Sequence, residues 1–368
     1  MTQTLIPSTA IEVVEQIEAG LFPTQSTDNL QFFNKFPDGT YVIKDGATIQ
    51  VREEEVDLEF VQRIVNKRTP KHIKKKVIVY FKNDVYDPAT TDLNFINGDL
   101  SLFNYSWASY FKDIDIVIHL ADIVAGIGFV FSNESYVFRT NLLINSNVTK
   151  AVFDYKPKRY IYVGTACSFP RSLQLSINSK PLVEEDQFPA SPESGYGWSK
   201  LMGEIECGYL SKEGITDTVI LSLHNVYGRY CDLSPSTSQV IPSLCQKAIS
   251  SLSDNKIINI WGDGNQGRAF VHAREVVSSI KRAFLKGENK GVIQIGPEKC
   301  TTINEIANII INYIDSSIKI EYDLSKPVGD VGRRANFEKA KSLLEWQPFV
   351  QIDEGLKDLL DWILKINS

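Results

Sequence analysis

The chain has 368 residues, 43% of them hydrophobic and 23% charged, with a formal net charge of −6. That length and apolar content suit one large core or two lobes sharing a cleft. The negative balance gives no attraction to nucleic acid or an anionic membrane surface, so neither is expected as a partner.

In chain order, the opening MTQTLIPSTAIEVVEQIEAG lacks a basic lead followed by an apolar core, so no signal peptide is expected. Ala10–Ala19 reads as a short amphipathic helix. YVIK-DG-ATIQV places two apolar runs around Asp45-Gly46, the pair suited to a tight type I′ turn, and predicts a hairpin. The basic run Lys71–Lys76 leads into the apolar VIVYF and reads as the solvated approach to a strand.

From there strands and helices alternate. VIVYF (77–81), IDIVIHLA (114–121), RYIYVGT (159–165) and DTVILSL (217–223) look like strands buried on both faces. Helical patterns lie between them at Glu134–Phe153, Gly197–Leu210 and Gln239–Leu252. Such alternation predicts an α/β fold with a doubly wound parallel sheet. Beyond Asn255 come IINIWGDG, a helix from Ala273, VIQIG, NEIANIIINYI, SIKIEYD and a last helix over Asp353–Ile366, expected as a smaller C-terminal lobe. The most apolar stretch, Ile114–Phe131, carries Asp115, His119 and Asp122 and is unsuited to crossing a bilayer. Five cysteines without a CxxC pair fit reduced cytoplasmic thiols better than disulfides or a metal site.

Chemistry is concentrated in two places. Tyr196-Gly-Trp-Ser-Lys200 opens a helix, and the i, i+4 spacing puts phenol and ammonium on one face. An ammonium so near favours the phenolate and brings the phenol toward the working range of a base. Upstream, the strand RYIYVGT ends in Thr165-Ala-Cys167. The two residues are two apart at a strand end, so their side chains are expected to face one side, a hydroxyl for a substrate oxygen beside a thiol for acid–base work. Cys167 also reads as a small core residue.

The segments HLADIVAGIGF, TACSFP, EEDQFPASPESGYGWSKLMGE, LHNVYG, IWGDGNQGRAFVHAREVV and GDVGRRANFEKAKSLLEWQP occur in that order. Together they resemble the extended short-chain dehydrogenase/reductase (NAD-dependent epimerase/dehydratase) family, from about Lys76 to the C-terminus. Within it they are most similar to the GDP-mannose 3,5-epimerase and GDP-fucose synthase branch. The resemblance implies a Rossmann-like domain over 71–254, a C-terminal substrate lobe over 255–368, and an atypical N-terminal segment over 1–70. It implies NAD as cofactor and a nucleotide sugar as substrate, and dimers are common in the family, so a homodimer is one expected assembly.

Residue by residue, the resemblance gives Thr165 the hydroxyl role, Tyr196 the base of hydride transfer, and Lys200 the partner that tunes Tyr196 and holds the nicotinamide ribose. Cys167 falls where the branch has an acid/base cysteine. Asp99, Leu100, Leu120, Ala121 and Asn141 match segments lining the adenine and ribose. The loop containing Gly126 and Gly128 would approach the sugar. Asn225, Lys247 and Arg333 would hold substrate and its diphosphate, with Trp261 and Gln266 near the nucleotide. Asn225 could equally cap a turn, Arg268 reads as a tie within the lobe, and His119 as a satisfied core histidine.

Two departures stand out. The family opens with a strand, a GxxGxxG turn and a helix, so that bare amides meet the pyrophosphate. Counting back one unit from VIVYF gives a strand at Ala47–Val51 and a helix at Asp57–Asn66, with Arg52-Glu-Glu-Glu-Val56 where glycines belong. Glutamates at a helix start are ordinarily dipole-stabilising, and NAD is expected to bind with Glu53–Glu55 turned away. The second departure is Gln239, where the branch carries a lysine or histidine. A glutamine can hydrogen-bond a sugar hydroxyl but exchanges no proton near neutral pH. The resulting expectation is an NAD-dependent nucleotide-sugar epimerase working through a ketone. A reductase or dehydratase, or a non-catalytic sensing or scaffold homologue, are the alternatives.

Overall fold

The computed structural model describes residues 99–103 and 108–367, together with the backbone of six short strands between residues 4 and 96. Ala10–Ala19, Asp45-Gly46, Arg52–Val56, Asp57–Asn66 and most of VIVYF lie outside the described residues.

Among the described residues, four strands form the central sheet: β1 (Ile116–His119), β2 (Arg159–Thr165), β3 (Asp217–Leu223) and β4 (Val292–Ile295). They lie in the order β4-β3-β2-β1, all parallel. Every residue of β2 after Arg159 is buried, as expected for a strand covered on both faces. On one face, helices α1 (Glu134–Tyr155) and α2 (Gly195–Lys212) bring Ile144, Val148, Val152, Cys207 and Leu210 onto Tyr160, Tyr162 and Ile220. On the other face, α3 (Ala273–Ala283) and α4 (Glu338–Leu344) pack Val276, Ile280, Ala340 and Leu344 onto Ile161, Val163, Val219 and Leu221. Helices on both faces make the sheet doubly wound, as the alternation predicts.

A separate apolar cluster joins Val240–Ser251, Ile303–Ile314 and Ile352–Asn367 to the parallel strands Ile257–Trp261 and Lys319–Asp323. Two elements change sides relative to the sequence reading. VIQI, expected in the C-terminal lobe, is the edge strand β4 of the main sheet, and the helix Val240–Ser251 packs with the C-terminal cluster instead. An apolar run specifies a buried strand but not which sheet receives it. The same physics governs the expected hairpin. Tyr41–Ile43 pairs with Thr4–Leu5 and Phe33–Lys35, whereas Thr48–Gln50 pairs antiparallel with Asp92–Ile96. The two runs form strands, but with other partners than each other.

Candidate active site

Helix α2 is set tightly against the end of β2. Its N-cap Ser194 accepts a hydrogen bond from the Gly197 amide at 3.3 Å, a cap generally worth about 1 kcal/mol. A side-chain carbon on Gly197 would stand 2.2 Å from the Cys167 carbonyl oxygen, and one on Gly203 would stand 2.4 Å from the Tyr162 hydroxyl. These glycines let the helix close on strand and turn, which carries Tyr196 and Lys200 to the carboxyl end of the sheet. Lys200 is 1% exposed and Tyr196 9%.

The expected pair is present, with a third member that the sequence reading missed. The Tyr196 hydroxyl donates to Asp122 Oδ2 at 3.0 Å, and Lys200 Nζ lies 3.6 Å from the same oxygen. Lys200 Nζ also sits 4.6 Å above the Tyr162 ring, whose hydroxyl donates to the Lys200 carbonyl at 3.1 Å. Burial pulls the Lys200 ammonium below its ordinary range, while Asp122 and Glu204 oppose that shift.

Glu204, one turn beyond Lys200, is a second unanticipated group. Its carboxylate accepts from Gln187 and lies 3.4 Å from the Ser168 hydroxyl. Burial pushes it up from 4.5 to about 7, against the pull of Gln187, Lys200 and the Thr165 amide. The folded protein therefore holds a proton that the unfolded chain gives up near pH 4.5. Glu204's contribution to stability is full below that pH and is lost as pH rises through about 7. Unfolding measured across that window should show wild type losing about 3 kcal/mol relative to Glu204→Gln. Parallel pH profiles for the two proteins would contradict this assignment.

Thr165 and Cys167 meet by a different route from strand alternation. The backbone turns into a 3-10 segment at Ala166–Ser168, and the Cys167 amide donates to Thr165 Oγ1 at 3.2 Å. The threonine hydroxyl is a better local acceptor than a continued ladder, so the strand ends there. Cys167 is half-buried, and Arg333 Nη1 lies 3.0 Å from its Sγ. Arg333 also bonds Gln174 and Asp330. Its own burial opposes its charge, but Cys167 and Asp330 more than compensate, so its affinity for the proton is raised. The Asp330 amide in turn donates to Glu193 Oε2 at 3.2 Å, and Glu193 lines a 470 Å³ cavity with Phe131, Glu134, Arg171 and Pro327.

The remaining candidates divide by what they touch. Gly126 donates to the Thr237 carbonyl at 2.9 Å, and a side-chain carbon there would stand 2.5 Å from the Ser238 carbonyl oxygen. At Gly128 the same carbon would stand 2.7 Å from the Trp261 ring. Both glycines thus serve close packing within the protein. Gln239 is the N-cap of Val240–Ser251 without a side-chain cap bond. Lys247 donates to the Asn259 carbonyl at 2.8 Å, and burial lowers its ammonium. Gln266 donates to the Trp261 carbonyl at 2.9 Å, which leaves its Oε1 buried without a partner, and Asn225 Oδ1 is in the same state. Buried acceptors of this kind are costly unless satisfied, and a ligand hydroxyl or amine would satisfy them. Arg268 ties its own strand to the Val328 carbonyl at 3.2 Å.

On the expected cofactor side, Asp99 accepts from the Ser101 amide at 2.9 Å and Leu100 is buried. Leu120 and Ala121 flank the apolar clusters on opposite faces of the sheet. Asn141 is fully buried, accepting from the Ile123 amide at 2.6 Å and donating to its carbonyl at 2.9 Å, so it clamps the loop after β1. His119 bonds Asn145 at 3.0 Å and stacks on Tyr160, a satisfied core histidine.

A model of the NAD dependent epimerase/dehydratase family matches residues 52–296. The chain belongs to that family. It is 30% identical over 252 residues to GDP-mannose 3,5-epimerase of Arabidopsis thaliana, covering 68% of this chain and 66% of that protein. The chain thus spans just under two thirds of the length of that relative. To GDP-L-fucose synthase 1 of the same plant it is 25% identical, over 73% of this chain and 84% of the relative. The fold is similar to that of UDP-glucose 4-epimerase from Thermotoga maritima, with a TM-score of 0.66 at 21% identity over 74% and 84% of the two chains. It is also similar to UDP-glucuronic acid 4-epimerase from Bacillus cereus, with a TM-score of 0.60 at 25% identity over 73% and 79%.

Family members take a nicotinamide dinucleotide. Thr165, Tyr196 and the buried Lys200 converge at the carboxyl end of a parallel strand, where a doubly wound sheet receives such a ligand. The segment expected at the diphosphate turn, Arg52–Val56, is outside the described residues.

Proposed function

We propose that the chain is an NAD-dependent epimerase of a nucleotide-diphosphate sugar, working through a transient ketone on the sugar. The observation that carries this reading is Cys167, a half-buried thiol on the turn that ends in contact with Thr165, beside the helix bearing Tyr196 and Lys200. Lys200 and Tyr196 would hold the nicotinamide ribose, with Asp99, Leu100, Leu120 and Ala121 toward the adenosine. When bound, the nicotinamide supplies a hydride acceptor and donor. Thr165 holds the reacting sugar oxygen, Tyr196 exchanges its hydroxyl proton, and Cys167 moves the proton on the neighbouring carbon, which a ketone acidifies. Asn225, Gln239, Gln266, Trp261, Lys247 and Arg333 form the proposed substrate side, with Gly126 and Gly128 shaping its wall.

Gln239 and the hydrogen bond from the Tyr196 hydroxyl to Asp122 favour a second reading. A site with one carbon acid/base and a resting phenol donor suits a reductase. A dehydratase shares the same first step. A cytoplasmic homodimer is part of the proposal, as is the division into an N-terminal segment, a Rossmann-like domain and a C-terminal substrate lobe. Among the described residues no helix is long and apolar enough to cross a membrane.

The purified protein incubated with a panel of UDP-, GDP- and dTDP-sugars tests the reading. An epimerase should give a product of unchanged mass and altered chromatographic retention, without net change in NADH. Stoichiometric NAD(P)H consumption would replace the epimerase by a reductase, and loss of water by a dehydratase. No conversion and no retained dinucleotide would leave a sensing or scaffold protein.

A further inference from the structure

Asp122 stands at the carboxyl end of β1, in the loop that Asn141 clamps through both polar atoms of the Ile123 backbone, at 2.6 and 2.9 Å. With that backbone fixed, the carboxylate reaches two groups at once. It accepts from the Tyr196 hydroxyl at 3.0 Å and lies 3.6 Å from Lys200 Nζ. Its side chain is 16% exposed and that of Lys200 2%, so water screens this trio weakly. A buried ammonium requires an anion, and Asp122 is the ion-pair partner of Lys200. The phenol, in turn, donates directly to that carboxylate.

We infer that Asp122 is a positioning residue of the Tyr196/Lys200 pair, holding the phenol as a hydrogen donor and engaging the ammonium, so that three groups set the pair's acid–base behaviour. The inference rests on reading Tyr196 as the carrier of the substrate hydroxyl's proton. Loss of the phenol proton would place two anions in hydrogen-bonding contact, which opposes the acidifying effect of Lys200. Other charged or titratable groups around the phenol are Cys167, with Arg333 behind it, on the turn; Glu134 at the start of α1, whose Oε1 accepts from the Gly195 amide at 3.4 Å; and Glu204 on α2 itself. The carboxylate that hydrogen-bonds the Tyr196 hydroxyl is that of Asp122.

The test follows the Tyr196 phenol by carbon NMR of protein labelled at the tyrosine ring carbon bearing oxygen, the Tyr196 signal being assigned by its loss in Tyr196→Phe. In Asp122→Asn the phenol titration should move to lower pH by about one to three units, the usual effect of a neighbouring charge. Asp122→Ser, which also removes the charge but differs in shape, should move it in the same direction. The acid limb of the kcat/KM profile should follow, which a purely structural role would not produce. Unmoved midpoints in folded Asp122→Asn and Asp122→Ser would overturn the inference. A shifted midpoint supports it even where Tyr196→Phe keeps turnover, and in that case the functional reading falls.

Discussion

Tyr196→Phe is expected to abolish turnover in a protein that still folds. The phenol is nearly buried, and its ring packs with Ile123, Val124, Val130 and Val137, contacts that phenylalanine keeps. The hydrogen bond to Asp122 at 3.0 Å is lost, which generally costs about 1 kcal/mol. Asp122 remains within 3.6 Å of Lys200, so its charge stays compensated. The chemical loss is far larger. Without a hydroxyl there is no group at this position to exchange the sugar's proton, and positioned acid–base groups generally contribute about 10²–10⁴-fold in rate. Comparing turnover with the melting temperature separates the two effects. Wild-type turnover in Tyr196→Phe would rule out the Tyr196/Lys200 mechanism whatever the substrate.

The fold was legible wherever one residue pattern admitted one outcome. RYIYVGT and DTVILSL are apolar on both faces and became β2 and β3 over the expected residues. The amphipathic NEIANIIINYI became a helix over Ile303–Ile314, with a capping box from Thr302 and Glu305. Legibility failed where the pattern fixes an element but not its neighbour, as with VIQI and the two runs around Asp45-Gly46.

In the site, Tyr196 and Lys200 were readable because helical spacing alone puts them on one face. The same spacing extends to Glu204, two turns beyond Tyr196, and could have revealed it. Asp122 was visible in HLAD only as a charge interrupting an apolar run. Its meaning depends on which helix lies across the strand end, and that is tertiary information. The glycines of AGIG, expected to approach the sugar, also let Ser238 and Trp261 stand close. A glycine in sequence reports a close approach without naming what approaches.

Cys167→Ser is the substitution that isolates the carbon proton. In wild type, turnover in heavy water should place deuterium at a single sugar carbon. Cys167 is the thiol at the end of β2 beside the Thr165 hydroxyl, and Gln239, in the position of a second proton carrier, can only hydrogen-bond. Serine preserves the size and hydrogen-bonding capacity of the side chain, so the turn at Ala166–Ser168 and the contact from Arg333 at 3.0 Å should survive. An alcohol, however, gives up its proton far less readily than a thiol, so it is a poor base toward carbon. Deuterium incorporation, followed by mass spectrometry of the recovered nucleotide sugar, should slow by about two to four powers of ten. Arg333, still bonded to Asp330 and Gln174, would stay in place and keep substrate binding close to wild type, so KM should move much less than kcat. Deuterium at two carbons in wild type would show that another group supplies a second proton, and would end the reading of Gln239 as inert. Undiminished exchange in Cys167→Ser would return the cysteine to a packing role and assign the carbon proton to another group.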